Sequence, residues 1–183
     1  MVWIVFCGII ICFFVWVYNK IVRLKNLLFE AQSGVEVQLK RRYDLVPNLI
    51  KVVSSYCKHE GEVFENVAKF RSQAMGVTNL SKKESFENLF EQGLCSLLIL
   101  KEAYPILKSN DIFLKLQQEL VMIEDDLQHA RRYYNGVVRT FNTFINLFPI
   151  CLFKCLLKVS DYGYFQLENV IEGQALRIKD YLK

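Results

Sequence analysis

Histidine is scarce in this chain, with two residues in 183. A zinc-protease helix would need a second histidine where Val63 follows His59-Glu60, and a di-iron bundle would need two Glu-x-x-His pairs. Asp126 with His129 is the nearest approach to that spacing. No Gly-x-Ser-x-Gly elbow and no glycine-rich phosphate loop occurs, so the commonest signatures of acyl transfer and nucleotide binding are missing. The six cysteines show neither disulfide-scaffold density nor a paired zinc spacing. Cys7 and Cys12 lie in an apolar run, and Cys57, Cys95, Cys151 and Cys155 read as small hydrophobes in a reducing compartment. Cys151 and Cys155 stand one helical turn apart, which permits a redox pair, but apolar contact explains them as well. Low-complexity tracts, internal repeats and interdomain linkers are also lacking. No catalytic, cofactor-binding or metal-ligating residue is expected.

What the sequence has in excess is apolar surface: 52% of residues are hydrophobic and 23% charged. The excess is concentrated in residues 2–18, which contain no charge and would extend roughly 26 Å as a helix, near the lower limit for crossing a hydrocarbon core. Trp3 at one end, Trp16 and Tyr18 at the other, and Lys20 just beyond suit the two interfaces, so these residues are expected to anchor a transmembrane helix. A cleavable signal peptide would have a basic start and a small-residue cleavage site, and neither is seen. Lys20, Arg23 and Lys25 follow the span and no basic residue precedes it, which predicts an outside N-terminus and a cytoplasmic remainder. The net charge of +4 suits an anionic membrane surface better than nucleic acid.

Residues 110–148 carry the clearest periodicity. Phe113, Leu116, Leu120, Ile123, Leu127, Ala130, Tyr134, Val137, Phe141, Phe144 and Phe148 recur at steps of three or four, the stripe of one long amphipathic helix. Such a stripe needs other helices against it. Leu24, Leu28, Ala31, Val35 and Leu39 mark a first helix continuing out of the span, and Leu49, Val53, Tyr56, Val63, Val67, Phe70 and Ala74 mark a second from Pro47 to about Met75. Asp44-Leu45-Val46-Pro47 reads as the break between them, because the residue before proline is driven from the helical region; a helix continuing through Pro47 is the alternative. Ser81 ahead of Glu84 suggests a capping box for a third helix bearing Phe86, Phe90, Leu97, Leu100, Tyr104 and Leu107, and Asn110 a cap for the last.

The predicted fold is therefore all-α: a single transmembrane helix (1–18), an antiparallel up-down bundle of about four long helices (19–148), and a juxtamembrane apolar segment with a C-terminal tail (149–183), the tail forming a loosely attached helix. The last helix would exceed the first by about 20 Å and must splay, bend or overhang. Returning to the bilayer, the chain presents an apolar stretch in which Phe148, Phe153, Lys154, Leu157 and Lys158 suit the interface plane, lysines reaching for headgroups; folding back onto the bundle is the alternative. At the opposite tip Lys40, Arg41, Arg42, Tyr43, Asp44, Asn48, Tyr104 and Pro105 would gather, either satisfying helix ends or recognising a partner.

The run Gln38-Leu39-Lys40-Arg41-Arg42-Tyr43-Asp44-Leu45-Val46-Pro47-Asn48-Leu49 resembles the LemA family of bacterial membrane-anchored helical proteins. Tyr18-Asn19, Glu30-Ala31, His59-Glu60, Glu102-Ala103-Tyr104-Pro105, residues 116–120 and 130–135, Phe148-Pro149 and Tyr164-Phe165 extend the likeness over nearly the whole chain. Gln32 stands where the family often has Trp, and the segment after Phe148-Pro149 is denser in Cys, Leu and Lys. The resemblance implies a single-pass anchor in the bacterial inner membrane and a scaffold rather than an enzyme. Its partner class would be a membrane-associated protein such as an M48-type metalloprotease or a TPM-domain protein, and homo-oligomers are compatible with it. The function expected is docking of a protein at the bilayer; the alternative is lipid binding or membrane remodelling through residues 148–159.

Overall fold

The computed structural model describes residues 1–77, 80–154 and 159–165, and all regular structure among them is helical. The elements are α1 (Val2–Tyr56), α2 (Gly61–Gly76), α3 (Leu80–Ala103), the one-turn α4 (Pro105–Lys108), α5 (Asp111–Asn146) and a 3₁₀ turn at Ile150–Phe153. Residues 155–158, with Leu157 and Lys158, and the tail helix expected over 166–183 lie outside the described residues. The all-α bundle and the long apolar N-terminal helix are as the sequence predicts.

The first boundary differs. α1 runs unbroken for 55 residues with Pro47 inside it. A proline in a helix lacks the N–H that should bond the carbonyl four residues back, and its ring pushes that carbonyl aside. Here the orphaned carbonyl is that of Tyr43, and Arg71 of α2 donates its Nε–H to it at 2.6 Å. A bond from a charged donor is worth about 1.5–3 kcal/mol, enough to offset much of what proline removes. The expected length mismatch between first and last helices disappears with the expected break.

The helix ends instead at Tyr56. Ser54 and Ser55 donate their hydroxyls to the carbonyls of Lys51 (3.1 Å) and Val52 (2.7 Å), competing with the helical ladder. Cys57 turns inward and is buried, and α2 begins at Gly61. Two later boundaries shift as well. α3 starts at Leu80, a residue ahead of the Ser81 read as its cap, and α5 stops at Asn146, so Phe148 leaves the stripe and Ile145 takes the buried position.

The chain packs as two compact units. One, the two-helix unit, comprises Met1–Val35 with His129–Tyr164. There Val17 and Ile21 of α1 bury against Ile150, with Phe13, Phe144 and Val159 packed around them. Leu24, Leu28, Ala31 and Val35 continue the buried face of α1, and Tyr134, Val137, Val138, Phe141 and Ile145 that of α5.

The other, the four-helix unit, is built on Glu36–Gln128. Its core joins Leu39, Val46, Leu49 and Val53 of α1 with Val67 and Ala74 of α2, Phe90, Leu94, Leu97 and Leu98 of α3, and Phe113, Leu120, Ile123 and Leu127 of α5. α2 and α3 approach so closely at Gly93 that an added Cβ would stand 3.2 Å from the Phe70 ring and 3.3 Å from Val67. The turns α1–α2 and α4–α5 lie side by side, because Asn110 Nδ2 donates to Tyr56 Oη (2.9 Å) and Tyr104 Oη donates to Glu60 Oε1 (3.3 Å). Asn110 Oδ1 accepts the Phe113 N–H at 2.9 Å, capping α5 as its position predicts.

Candidate functional site

Within the four-helix unit the residues expected to share one tip divide into two groups. Arg42 and Tyr43 point inward from the middle of α1. The Arg42 side chain is 1% exposed; its Nη1 is 3.3 Å from Glu87 Oε2 and its Nε 2.5 Å from Glu124 Oε1. Tyr43 donates its hydroxyl to Glu87 Oε1, and the guanidinium sits 5.2 Å from the centre of the Phe90 ring. Burial opposes the Arg42 charge, but Glu124, Glu87 and Glu91 outweigh it and leave the guanidinium more firmly protonated than usual. Its Nη2 is buried without a hydrogen-bond partner. Removing one member of such a cluster strands a charge in the core, so the group holds three helices in register.

The other expected residues on α1 face water. Lys40, Asp44 and Asn48 are exposed, as is Arg41, which pairs with Asp126 at 3.3 Å. Tyr104 and Pro105 lie instead at the far turn, beside Glu60, two to four helical turns along α1 from Lys40–Asn48. A turn at Pro47 would bring them together, but the chain turns at residues 57–60. At that turn Ile106 is 72% and Ile112 59% exposed. Burial, then Glu60, pushes the Tyr104 hydroxyl pKa up, and burial followed by Glu60 does the same to the Cys57 thiol. His59 is exposed, and among the described residues no three His, Cys, Asp or Glu side chains converge as a metal site.

The two-helix unit holds the remaining candidates. Trp3, Trp16, Tyr18 and Lys20 are exposed along the first part of α1, which is long and apolar enough to cross a membrane. The segment after α5 divides its side chains: Ile150 and Val159 pack inward, while Leu147, Leu152 and Phe148, the last 79% exposed, point outward. Phe153 lies in the 3₁₀ turn. Lys154 is engaged with Asp161 Oδ2 (2.6 Å) and Asn146 Oδ1 (3.0 Å) rather than left free for headgroups.

Residues 159–163 form a strap along α5 with neither helix nor strand, and side chains of α5 bond part of its backbone. Asn142 accepts the Tyr162 N–H (3.0 Å) and donates to the Tyr162 carbonyl (2.9 Å), and Tyr134 donates to the Gly163 carbonyl (3.2 Å). Asn146 and Lys154 both bond Asp161, and Lys154 above all holds that carboxyl's pKa below its usual value. Phe141 meets the Tyr162 ring edge-on at 5.2 Å. Between strap and α1 lies a cleft of about 360 Å³ lined by Tyr18, Ile21, Val22, Lys25, Phe141, Val159, Ser160 and Tyr162.

Glu87, Glu124, Arg71 and Asn142 were not singled out from the sequence. A signal existed for part of the ion cluster: Val35, Leu39, Arg42, Val46, Leu49 and Val53 are spaced 4, 3, 4, 3 and 4, so Arg42 occupies a seam position once the helix is read through Pro47. Glu87 likewise sits three residues before Phe90 on the buried face of α3, which also carries the buried Lys101. Nothing in the sequence points to Asn142 as the strap's partner.

A family model described as the LemA family matches residues 31–179. Protein LemA of Metamycoplasma hominis is 24% identical over 163 residues, covering 87% of this chain and 74% of that protein. The magnetosome proteins MamQ 1 and MamQ 2 of Paramagnetospirillum magneticum are each 23% identical over 175 residues, covering 81% of this chain but 64% of theirs. The chain therefore spans somewhat under two thirds of the length of those two relatives. Matched over most of its length, and folded into the helical bundle that such a match implies, the chain belongs to the LemA family.

Proposed function

We propose that this protein is a single-pass scaffold of a bacterial cytoplasmic membrane, with its helical bundle in the cytoplasm, that docks another protein there and has no catalysis of its own. The observation that carries the reading is the continuity of α1: one helix passes without a break from an exposed, uncharged apolar stretch into the seam of a packed bundle. Lys20, Arg23 and Lys25 follow the apolar stretch, as the positive-inside bias requires of a cytoplasmic flank. The ionisable groups at Arg42 support a structural role, since they are enclosed by helices.

Docking is best supported at the α4–α5 turn, where Pro105, Ile106 and Ile112 are exposed, and along the outer face of α1 at Lys40, Arg41, Asp44 and Asn48. A membrane-associated M48-type metalloprotease or a TPM-domain protein is the partner class we favour, and self-association the alternative. Substituting Ile106→Ser with Ile112→Ser, and separately Lys40→Glu with Arg41→Glu, tests this. Loss of copurifying protein with unchanged membrane recovery is expected; an unchanged set of copurifying proteins in both variants would overturn the docking assignment. Arg42 is excluded from the test because its loss would disturb the core.

The second reading, lipid binding or membrane remodelling by residues 148–159, is favoured by one observation: Leu147, Phe148 and Leu152 are exposed on either side of Ile150, which packs on Val17 and Ile21. Vesicle deformation that disappears in Phe148→Ser, with copurifying proteins retained, would replace the docking reading by this one.

A further inference from the structure

We propose that the cleft between α1 and the strap is a binding site for the headgroup of an anionic phospholipid. The inference rests on the reading of residues 2–18 as a membrane span. The cleft begins where that span ends: Tyr18, Ile21, Val22 and Lys25 are successive outward turns of α1, at the depth where headgroup phosphates lie beside an emerging helix.

Its chemistry is two-sided. Ile21, Val22, Phe141 and Val159 supply an apolar floor, and Tyr18, Tyr162, Ser160 and Lys25 supply hydroxyls and one ammonium. Among the described lining residues no carboxylate is present, and the nearby strap carboxylate, Asp161 between Ser160 and Tyr162, is paired with Lys154. Lys25 Nζ rests 5.8 Å from the Phe29 ring centre, a contact that leaves its N–H donors available. A volume of about 360 Å³ accommodates a headgroup and its first methylenes, while the acyl chains would continue along the exposed apolar surface of residues 2–16.

The wall is constructed, which separates this cleft from an accidental furrow. The strap lacks secondary structure of its own and is held in place by the two bonds from Asn142, the Tyr134 bond to Gly163 and the two bonds on Asp161. Those groups also fix Ser160 and Tyr162 across from Lys25. Loss of the strap would remove one whole side of the site.

The test reconstitutes the full chain into phosphatidylcholine nanodiscs containing a minor fraction of phosphatidylglycerol and reads retained lipid by native mass spectrometry. We expect one retained phosphatidylglycerol, a loss of about fivefold in Lys25→Gln, corresponding to about 1 kcal/mol for one lysine at a membrane surface, and loss of retention in Ser160→Trp, which fills the cleft without altering charge. Lys20→Gln and Arg23→Gln, which change the same flank outside the cleft, should retain the lipid. Equal loss in all charge variants would reduce the effect to general surface attraction and overturn the site. If inorganic phosphate binds the detergent-solubilised chain with the same Lys25 dependence, the ligand is a free anion and not a lipid. A photo-crosslinker at Val22 that captures protein in place of lipid overturns the assignment too. A chain that never enters the nanodiscs refutes the membrane reading itself, an outcome distinct from entry without phosphatidylglycerol preference.

Discussion

The two compact units solve the burial of α1 in opposite ways. In the four-helix unit α1 is enclosed by α2, α3 and α5, and the enclosure is tight enough to hold a charge: Arg42 lies among Glu87, Glu124 and Phe90. In the two-helix unit α1 has α5, the 3₁₀ turn and the strap for neighbours, and on the N-terminal side of Phe13 its large apolar side chains are exposed. A helix with several partners can bury polar groups, because facing helices supply counter-charges; a helix with few must either be polar outside or lie in an apolar solvent. Residues 2–16 are not polar, which is the physical argument for a bilayer around them.

The sharpest way to break the contrast is to remove the buried charge. Arg42→Met leaves Glu87 enclosed without a counter-ion and should cost about 3–5 kcal/mol, seen as accelerated hydrogen exchange over Glu36–Gln128 in the full chain in detergent. Restoring an apolar core with Glu87→Leu and Glu124→Leu in the same chain should recover most of that loss. Exchange in the two-helix unit that rises equally would show that the units do not unfold independently.

Next in size is the bond across Pro47. Arg71→Leu should destabilise by about 1.5–3 kcal/mol, and the penalty should shrink when Pro47→Ala supplies the missing N–H. An undiminished penalty in that double variant would mean that Arg71 acts through Asp44, 4.0 Å from its Nη2, and not through the Tyr43 carbonyl.

In the two-helix unit the strap offers a smaller effect. Asn142→Leu leaves both Tyr162 backbone groups unpaired, at about 1–3 kcal/mol for an unsatisfied buried group and less where water reaches it, and should expose residues 159–165 to protease while α5 stays helical. The strap should also loosen in acid. The folded-state pKa of Asp161 is depressed, so its contribution is present above the ordinary carboxylate pKa of about 3.9 and is lost as pH falls through the lower folded value. Proton titration of Asp161 by NMR checks the direction; a pKa at or above the ordinary value would remove the ion pair with Lys154 from the account.

The smallest effect belongs to Arg41. Its pair with Asp126 has both side chains half exposed, so Arg41→Ala should change stability by less than about 1 kcal/mol, against several for its neighbour Arg42. Similar losses from the two would contradict the burial that separates them.

Much of this fold is legible in the residues. The stripes Leu24 to Leu39 and Phe113 to Phe141 are regular enough to specify helices, and most of their positions are buried, Leu116 and Ala130 being half-buried while Gln117 and Val138 beside the stripe are buried. Asn110 is recognisable as a cap because its own side chain does the capping. Pro47 misleads for the opposite reason: whether a proline ends a helix depends on whether something distant accepts the carbonyl it frees, and Arg71 is 28 residues from Tyr43. The assignment of Arg42 to the surface failed with it, since a turn at Pro47 would place that residue at a helix end.

By itself the sequence determined the helical class, the apolar stretch suited to a membrane and the order of the elements. All three follow from local periodicity and composition, which each segment carries without reference to the others. Only tertiary structure decided where α1 stops, which basic residues face water, and that residues 159–163 form one wall of a cleft. These depend on partners far along the chain filling particular backbone groups and neutralising a particular charge, and no local pattern records which partner that will be.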